Sequence, residues 1–345
     1  MKQRIAILGA SGYTGAELIR LLLPHPHAEI VTLTADSQAG KSMREVYPHL
    51  DCAGLPNLIP LSAVDYHGID VVFCCLPHGT TQQVIAEIPR HVKVIDLSAD
   101  FRLADTDAYA QWYGHAHFAP ELQKEAVYGL TELNRNKIKN ARLVANPGCY
   151  PTSAQLPLMP LLKEKLIEAD NIIIDAKSGM TGAGRAAKQT VLFTEINEGV
   201  DAYSISAHRH APEIEQGLTL AYGKQVIVNF TPHHMPMNRG ILSTIYVSLA
   251  KGKRPEDLVA CLANAYQNEY FVRLTAKGVA PATHMVRGTN VCLIGVFADR
   301  LPGRAILVSV MDNLVKGASG QAVQNMNLMC GFPEKTALEQ TALFP

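Results

Sequence analysis

The sequence of 345 residues predicts an α/β protein in two parts, a doubly wound parallel sheet and then an α+β domain with a mixed or antiparallel sheet. Three observations carry this. Short β-branched apolar runs alternate with helical spacing through the first 148 residues. A glycine loop joins the first apolar run to the first helical segment. Beyond residue 149 the apolar runs follow one another without a helix between each pair.

The elements read as follows. RIAIL at 4–8 is a buried strand, and TGAELIRLLL at 14–23 is an amphipathic helix. EIVTLTA is a second strand. DVVFCCLP at 70–77 and KVIDLS at 93–98 are further strands, with helical TTQQVIAEIP between them. In the second half NIIIDAKSG, QVIVNFTPHH, ILSTIYVSLA, FVRL and NVCLIGVFA read as strands. The stretch AILVSVMDNLVKGASGQAVQNMNLM reads as a strand, a polar break and a helix that packs back on the first domain. The expected division is therefore 1–148 with 313–345 as one domain, and 149–312 as the other.

Composition excludes several function classes. Lys+Arg and Asp+Glu are both 31, so the chain lacks the net positive charge of a nucleic-acid surface. No apolar run approaches the roughly 20 residues of a membrane span. The start, MKQRIAILGASGYTG, places basic residues before an apolar run, but the run is short and enters a glycine loop rather than a cleavage site. It reads as a strand of a cytoplasmic protein. Seven cysteines, an odd number without paired metal spacing, fit reduced thiols, with Cys74 and Cys75 in the core.

Gly9, Gly12 and Gly15 stand between a strand and a helix, spaced GxxGxxG. Small residues let a backbone approach a pyrophosphate, and the helix N-terminus supplies N–H donors. This is a Rossmann-type reading, with Ser11, Tyr13 and Thr14 in the same loop. About 20 residues on, an acid would hold a ribose 2′-OH. Asp36 is placed for that, whereas Ser37, Lys41 and Arg44 suit a 2′-phosphate. The local sequence leaves NAD and NADP both open.

VANPGCYPTSA, 144–154, holds Cys149 in a turn framed by Pro147, Gly148 and Pro151. A following helix would expose the sulfur at its N-terminus and favour the thiolate. Pro151 suits a first turn, whereas Pro157 and Pro160 are expected to distort the helix. A nucleophilic thiol needs a base, and SAHRHAPEIEQ, 206–216, offers His208 and His210. On a strand they share a face. A helix starting near Pro212 puts His210 in a connecting turn. No further ligand stands at metal spacing beside them. His233 and His234 point to opposite faces of a strand and read as packing or surface groups. AKSGMTGAGRAAK, 176–188, carries Lys177, Arg185 and Lys188, suited to an anionic substrate or to solvent.

These three parts together resemble the N-acetyl-γ-glutamyl-phosphate reductases, relatives of the aspartate-semialdehyde dehydrogenases. The carriers are GASGYTGAEL, DLSADFRL, YGLTELNR, NPGCYPT, SGMTGAGR, HRHAPEI, FTPHHMPMNRGIL and DNLVKGASGQAVQN. The resemblance implies NADPH-dependent reduction of a small-molecule acyl phosphate through a cysteine thioester, in a homo-oligomer, dimer or tetramer. It implies Cys149 as nucleophile and His210 as acid/base, with His208 as the rival. It places the Gly9–Gly15 loop on the pyrophosphate of NADP(H), and Asn313, Lys316 and Gly317 by the nicotinamide. Ser178, Gly179, Arg185 and Arg209 would border the substrate. Two departures stand out: Ser153 and Pro157 where small residues are usual, and Asp36 where Arg or Ser meets a 2′-phosphate. The alternatives are a reductase of aspartyl phosphate or of a carrier-bound aminoadipyl phosphate, and a non-catalytic NADPH sensor. The intact Cys149 and HRH weigh against the sensor.

Overall fold

The computed structural model describes residues 2–51 and 54–344. The chain forms two compact units, Met1–Pro147 with Ala318–Glu339, and Gly148–Gly317 with Gln340–Pro345. This moves Gly148, residues 313–317 and the extreme C-terminus out of the first domain expected from the sequence. The reasons are local. Asn313 accepts from the Gly240 N–H at 2.8 Å, and the Leu343 N–H donates to the Arg287 carbonyl at 3.0 Å, both within the second unit.

The first unit holds β1 (Gln3–Leu8), α1 (Tyr13–Leu22), β2 (Ala28–Thr34), α2 (Met43–Val46), β3 (Leu58–Ile59), β4 (Val71–Cys74), α3 (Thr81–Glu87) and β5 (Lys93–Asp96). Then come α4 (Thr106–Tyr113), α5 (Pro120–Glu125), β6 (Val127–Tyr128), α6 (Thr131–Lys139) and β7 (Leu143–Ala145). Its seven strands run in the order β3-β2-β1-β4-β5-β7-β6, and every pairing is parallel. That is why these strands read as continuous apolar runs rather than as alternation: VVFC of β4 is buried on both faces.

The second unit holds α7 (Cys149–Lys163), β8 (Ile172–Gly179), α8 (Phe193–Ile196), β9 (Asp201–Ala202), α9 (Ala211–Tyr222), β10 (Val228–Met235), β11 (Ile241–Ser248), α10 (Pro255–Tyr266), β12 (Val272–Leu274), β13 (Cys292–Ala298) and β14 (Arg304–Met311). Its sheet, β12-β13-β14-β11-β8-β10-β9, is mixed, with β8/β10 and β12/β13 parallel and the rest antiparallel. Alternate residues of β11 are buried, because α7 covers one face only.

Helix α7 runs unbroken through Pro157 and Pro160, against the expected distortion. Pro160 has no N–H for the Leu156 carbonyl, and the Tyr266 hydroxyl donates to that carbonyl instead, at 2.6 Å. Nearly all of α7 from Tyr150 to Leu162 is buried, so packing outweighs the proline penalty of about 3 kcal/mol. Ser153 fits because its buried hydroxyl donates to the Tyr150 carbonyl at 2.9 Å and pairs with that of Ser243 at 2.8 Å.

The chain returns to the first unit as α11 (Gly320–Met329), a wholly buried helix whose amides are satisfied there. The Gln321 and Asn325 amides both donate to the Gly129 carbonyl, at 2.7 and 2.9 Å. Among the described residues no helix is long and apolar enough to cross a membrane, and no cluster of His, Cys, Asp or Glu has the makings of a metal site. Cys74, Cys75, Cys149, Cys261, Cys292 and Cys330 are unbridged; Cys52 lies outside the described residues.

Candidate active site

In the first unit the glycine loop turns at the carboxyl end of β1. Gly9 has φ +82°, and a Cβ there would stand 2.6 Å from the Cys75 carbonyl oxygen. A Cβ on Gly15 would meet the Ala10 backbone at 2.6 Å, so α1 can lie directly on the loop. Gly12 is the N-cap of α1, and a Cβ there meets nothing closer than 3.6 Å, which leaves this helix end open. An open N-terminus of a ten-residue helix, at the carboxyl edge of a parallel sheet, fits a dinucleotide pyrophosphate. Two unforeseen side chains brace the loop. The Thr34 hydroxyl accepts from the Gly9 N–H at 3.1 Å, and the Tyr47 hydroxyl donates to the Ser11 carbonyl at 2.9 Å. Asp36, Ser37 and Lys41 all stand exposed in the turn after β2, Lys41 bonding Gln38 at 2.9 Å.

In the second unit Cys149 is the first residue of the fifteen-residue α7, with Gly148 as N-cap in extended backbone. The sulfur therefore sits at the positive end of a long helix, which favours thiolate. The Gly148 N–H donates to the Glu213 Oε1 at 2.8 Å, and Glu213 is only 1% exposed. A Cβ on Gly317 would fall 2.8 Å from that of Cys149. Only glycine at 317 lets the backbone there lie so close to Cys149.

His208 and His210 are in a turn, not on a strand, and His210 is the N-cap of α9. They share an environment all the same. Their rings lie 5.6 and 5.9 Å from that of Tyr150, the residue after the thiol, and 4.8 Å from each other. The His208 Nδ1 accepts from the His210 backbone N–H at 3.0 Å, which puts the proton of its neutral ring on Nε2. Burial, with Arg209 and His234 adding to it, lowers the His208 pKa to about 4. A ring kept neutral in this way orients its neighbours and is a poor proton carrier near neutrality.

Of the other predicted residues, Ser178 is buried and donates to the Gly179 carbonyl at 3.1 Å. A Cβ on Gly179 would stand 2.6 Å from the Asn238 carbonyl oxygen. The Asn313 amide donates to the Thr181 hydroxyl at 2.9 Å, tying this loop to the end of β14. Lys316 is fully buried, its ammonium 5.8 Å from the Phe271 ring centre. Arg185 and Arg209 stand on exposed segments. His234 stacks on Tyr203 at 3.8 Å and pairs with Asp201 at 3.2 Å, a packing role.

The family model for the NAD-binding domain of semialdehyde dehydrogenases matches residues 4–141, and that for their dimerisation domain matches 149–313. The N-acetyl-gamma-glutamyl-phosphate reductase of Rhodospirillum rubrum is 60% identical over 346 residues, covering 99% of this chain and 98% of that protein. The chain belongs to the N-acetyl-γ-glutamyl-phosphate reductase family. A probable reductase of that name from Arabidopsis thaliana, described as chloroplastic, is 59% identical over 342 residues, covering 99% of this chain and 85% of its own length. Among solved structures, aspartate semialdehyde dehydrogenase II from Vibrio cholerae superposes with a TM-score of 0.73 at 17% identity, covering 96% of this chain and 99% of its own. At that identity the likeness speaks for the two-domain fold.

Glu213 and Tyr150 are residues of this candidate site that the sequence did not single out. Glu213 stood in view as an acid in the first turn of α9, but nothing in its spacing said that it would reach back to Gly148. Tyr150 followed the cysteine, yet its service to both histidines is visible only once α7 and α9 are packed.

The His208 ring makes stability depend on pH. Unfolded it protonates near 6.5, folded only near 4, so the unfolded chain takes up the proton first as pH falls. The stabilisation present above pH 6.5 is lost on the way down to 4, at a slope of at most about 1.4 kcal/mol per pH unit. Urea titrations of wild type and His208→Gln between these limits check this: the acid-side slope should be shallower in the variant.

Proposed function

We propose that this chain reduces N-acetyl-γ-glutamyl phosphate to N-acetylglutamate 5-semialdehyde and phosphate with NADPH, through a thioester on Cys149. The observation that carries the reading is a cysteine at the first position of a long helix, with two histidine rings on the adjacent Tyr150. The proton of the thiol passes to an imidazole nitrogen of His210. The thiolate attacks the acyl carbon, the carbon–oxygen bond to phosphate breaks, and phosphate leaves. NADPH, when bound, supplies the hydride that reduces the acyl carbon. The alkoxide then collapses, the carbon–sulfur bond breaks, and the thiolate recovers a proton from His210. The Gly148 N–H is committed to Glu213, so the first-turn donors for the oxyanion are the N–H groups of Cys149 and Tyr150. Ser178, Gly179, Arg185 and Arg209 make up the substrate side in this reading, and Asn313, Lys316 and Gly317 the nicotinamide side.

The loop Gly9 to Gly15 with Ser11, Tyr13 and Thr14 holds the pyrophosphate, and Ser37 and Lys41 receive the 2′-phosphate. The expected result is a kcat/KM at least about tenfold higher with NADPH than with NADH, since a charge-assisted phosphate contact contributes roughly 1.5–3 kcal/mol. Equal or better use of NADH would mean that Asp36 governs the site. The activity itself is tested in reverse, by phosphate-dependent oxidation of N-acetylglutamate 5-semialdehyde followed as NADPH absorbance. A faster reaction with aspartate semialdehyde would favour the related reductase. The match of 149–313 to a dimerisation domain, and a sheet face that leaves Ile173 at 38% exposure, support a homo-oligomer, dimer or tetramer. The unbridged thiols suit the cytoplasm.

A further inference from the structure

We propose that Asp100 is a positioning residue for the cofactor, holding the Cys75–Thr81 segment as the second wall of the dinucleotide crevice. The proposal rests on the NADPH reading above. In the first unit the strand order runs outward from β1 through β2 to β3 on one side, and from β1 through β4 to β5 on the other. The switch point therefore lies between β1 and β4, and ligands of doubly wound sheets bind outside the carboxyl ends of such a strand pair. Two segments leave those ends. One is the glycine loop. The other starts at Cys75 and packs against it, the Cys75 carbonyl oxygen and the Leu76 Cδ2 lying 2.6 and 3.3 Å from where a Gly9 Cβ would be.

What fixes this second segment is a carboxylate from the neighbouring strand's loop. Asp100 has no exposed surface. Its oxygens accept from the Gly79 N–H at 2.8 and 3.0 Å, from the Thr81 N–H at 3.1 Å and from the Thr81 hydroxyl at 2.7 Å. The Tyr109 hydroxyl of α4 donates to it at 2.9 Å. Three of these four donors belong to the segment itself. Gly79 stands at φ +82°, and a Cβ there would be 3.2 Å from the His115 Nε2, so the turn has little room to take another shape. The sequence singled out DLSADFRL only as a family motif. The hydrogen bonds give its second aspartate a job at a distance from the pyrophosphate.

Asn in place of Asp100 keeps the volume but turns one acceptor into a donor, leaving segment N–H groups unpaired. The test is the dissociation constant for NADPH, read from cofactor fluorescence, alongside steady-state kinetics. Asp100→Asn should weaken NADPH about tenfold or more, in line with one or two unsatisfied buried donors. At saturating NADPH its kcat should stay within about threefold of wild type, with the KM for the acyl phosphate unchanged. Tyr109→Phe removes the one donor that is not on the segment and should leave NADPH affinity within about threefold. If Asp100→Asn does not fold, Thr81→Val carries the test through the loss of one segment bond and should weaken NADPH several-fold. Unchanged NADPH affinity in a folded Asp100→Asn, or in Thr81→Val where Asp100→Asn does not fold, overturns the proposal. So does a kcat loss without an affinity loss, or a Tyr109→Phe effect as large as that of Asp100→Asn. Wild-type protein that fails to bind NADPH in the same titration would instead refute the cofactor reading.

Discussion

Cys149→Ala should lose turnover by at least about four orders of magnitude while its NADPH affinity stays within about threefold of wild type. The split follows from the architecture. The thiol heads α7 in the second unit, and the glycine loop belongs to the first. Cys149→Ser should be nearly as inactive, because a neutral hydroxyl is a far weaker nucleophile than a thiolate. Alkylation should distinguish the thiols in the same way. Burial holds the Cys74 thiol well above its ordinary pKa and pushes that of Cys75 up to about 12, so iodoacetamide should take Cys149 first. Turnover of Cys149→Ala within about tenfold of wild type would remove the covalent mechanism altogether.

His210→Asn should lower kcat by roughly a hundred- to ten-thousandfold, the usual reach of general acid–base catalysis, with little change in NADPH affinity. His208→Asn should cost less. Its ring is held neutral, with a pKa near 4, and its Nδ1 is occupied by the His210 N–H, so it sets the turn that carries His210. The pH–rate profile in the dehydrogenating direction separates the two. The acid limb should flatten or move in His210→Asn and keep its position in His208→Asn. The opposite pattern assigns the acid/base role to His208. An unmoved limb in both makes the pair a binding element.

The first unit was legible in the sequence because parallel strands buried on both faces leave uninterrupted β-branched runs, and because the glycines mark the turn after β1. The stretch from 100 to 142 was not. Helices α4 to α6 are six to nine residues long, too short for a helical period to declare itself, and they depend on buried partners such as Asp100. Proline rules misjudged α7, since propensity is a local quantity and Tyr266 repairs the helix from another element. His210 lies in the turn before α9, as the helix start near Pro212 implied; the strand face shared with His208 does not exist, and Tyr150 rather than strand geometry brings the two rings together. The place of Cys149 at the start of a helix was legible through the turn residues around it. Glu213 and the close approach of Gly317 are products of tertiary packing, which no spacing along the chain encodes.

The covalent step is tested most directly by mixing the enzyme with N-acetyl-γ-glutamyl phosphate in the absence of NADPH, then measuring released phosphate and the mass of the Cys149 peptide. The thioester mechanism predicts a rapid burst of about one phosphate per subunit, with an N-acetylglutamyl adduct on Cys149 that disappears when NADPH is added. Phosphate released only after NADPH is supplied, or an adduct on any residue other than Cys149, would contradict it.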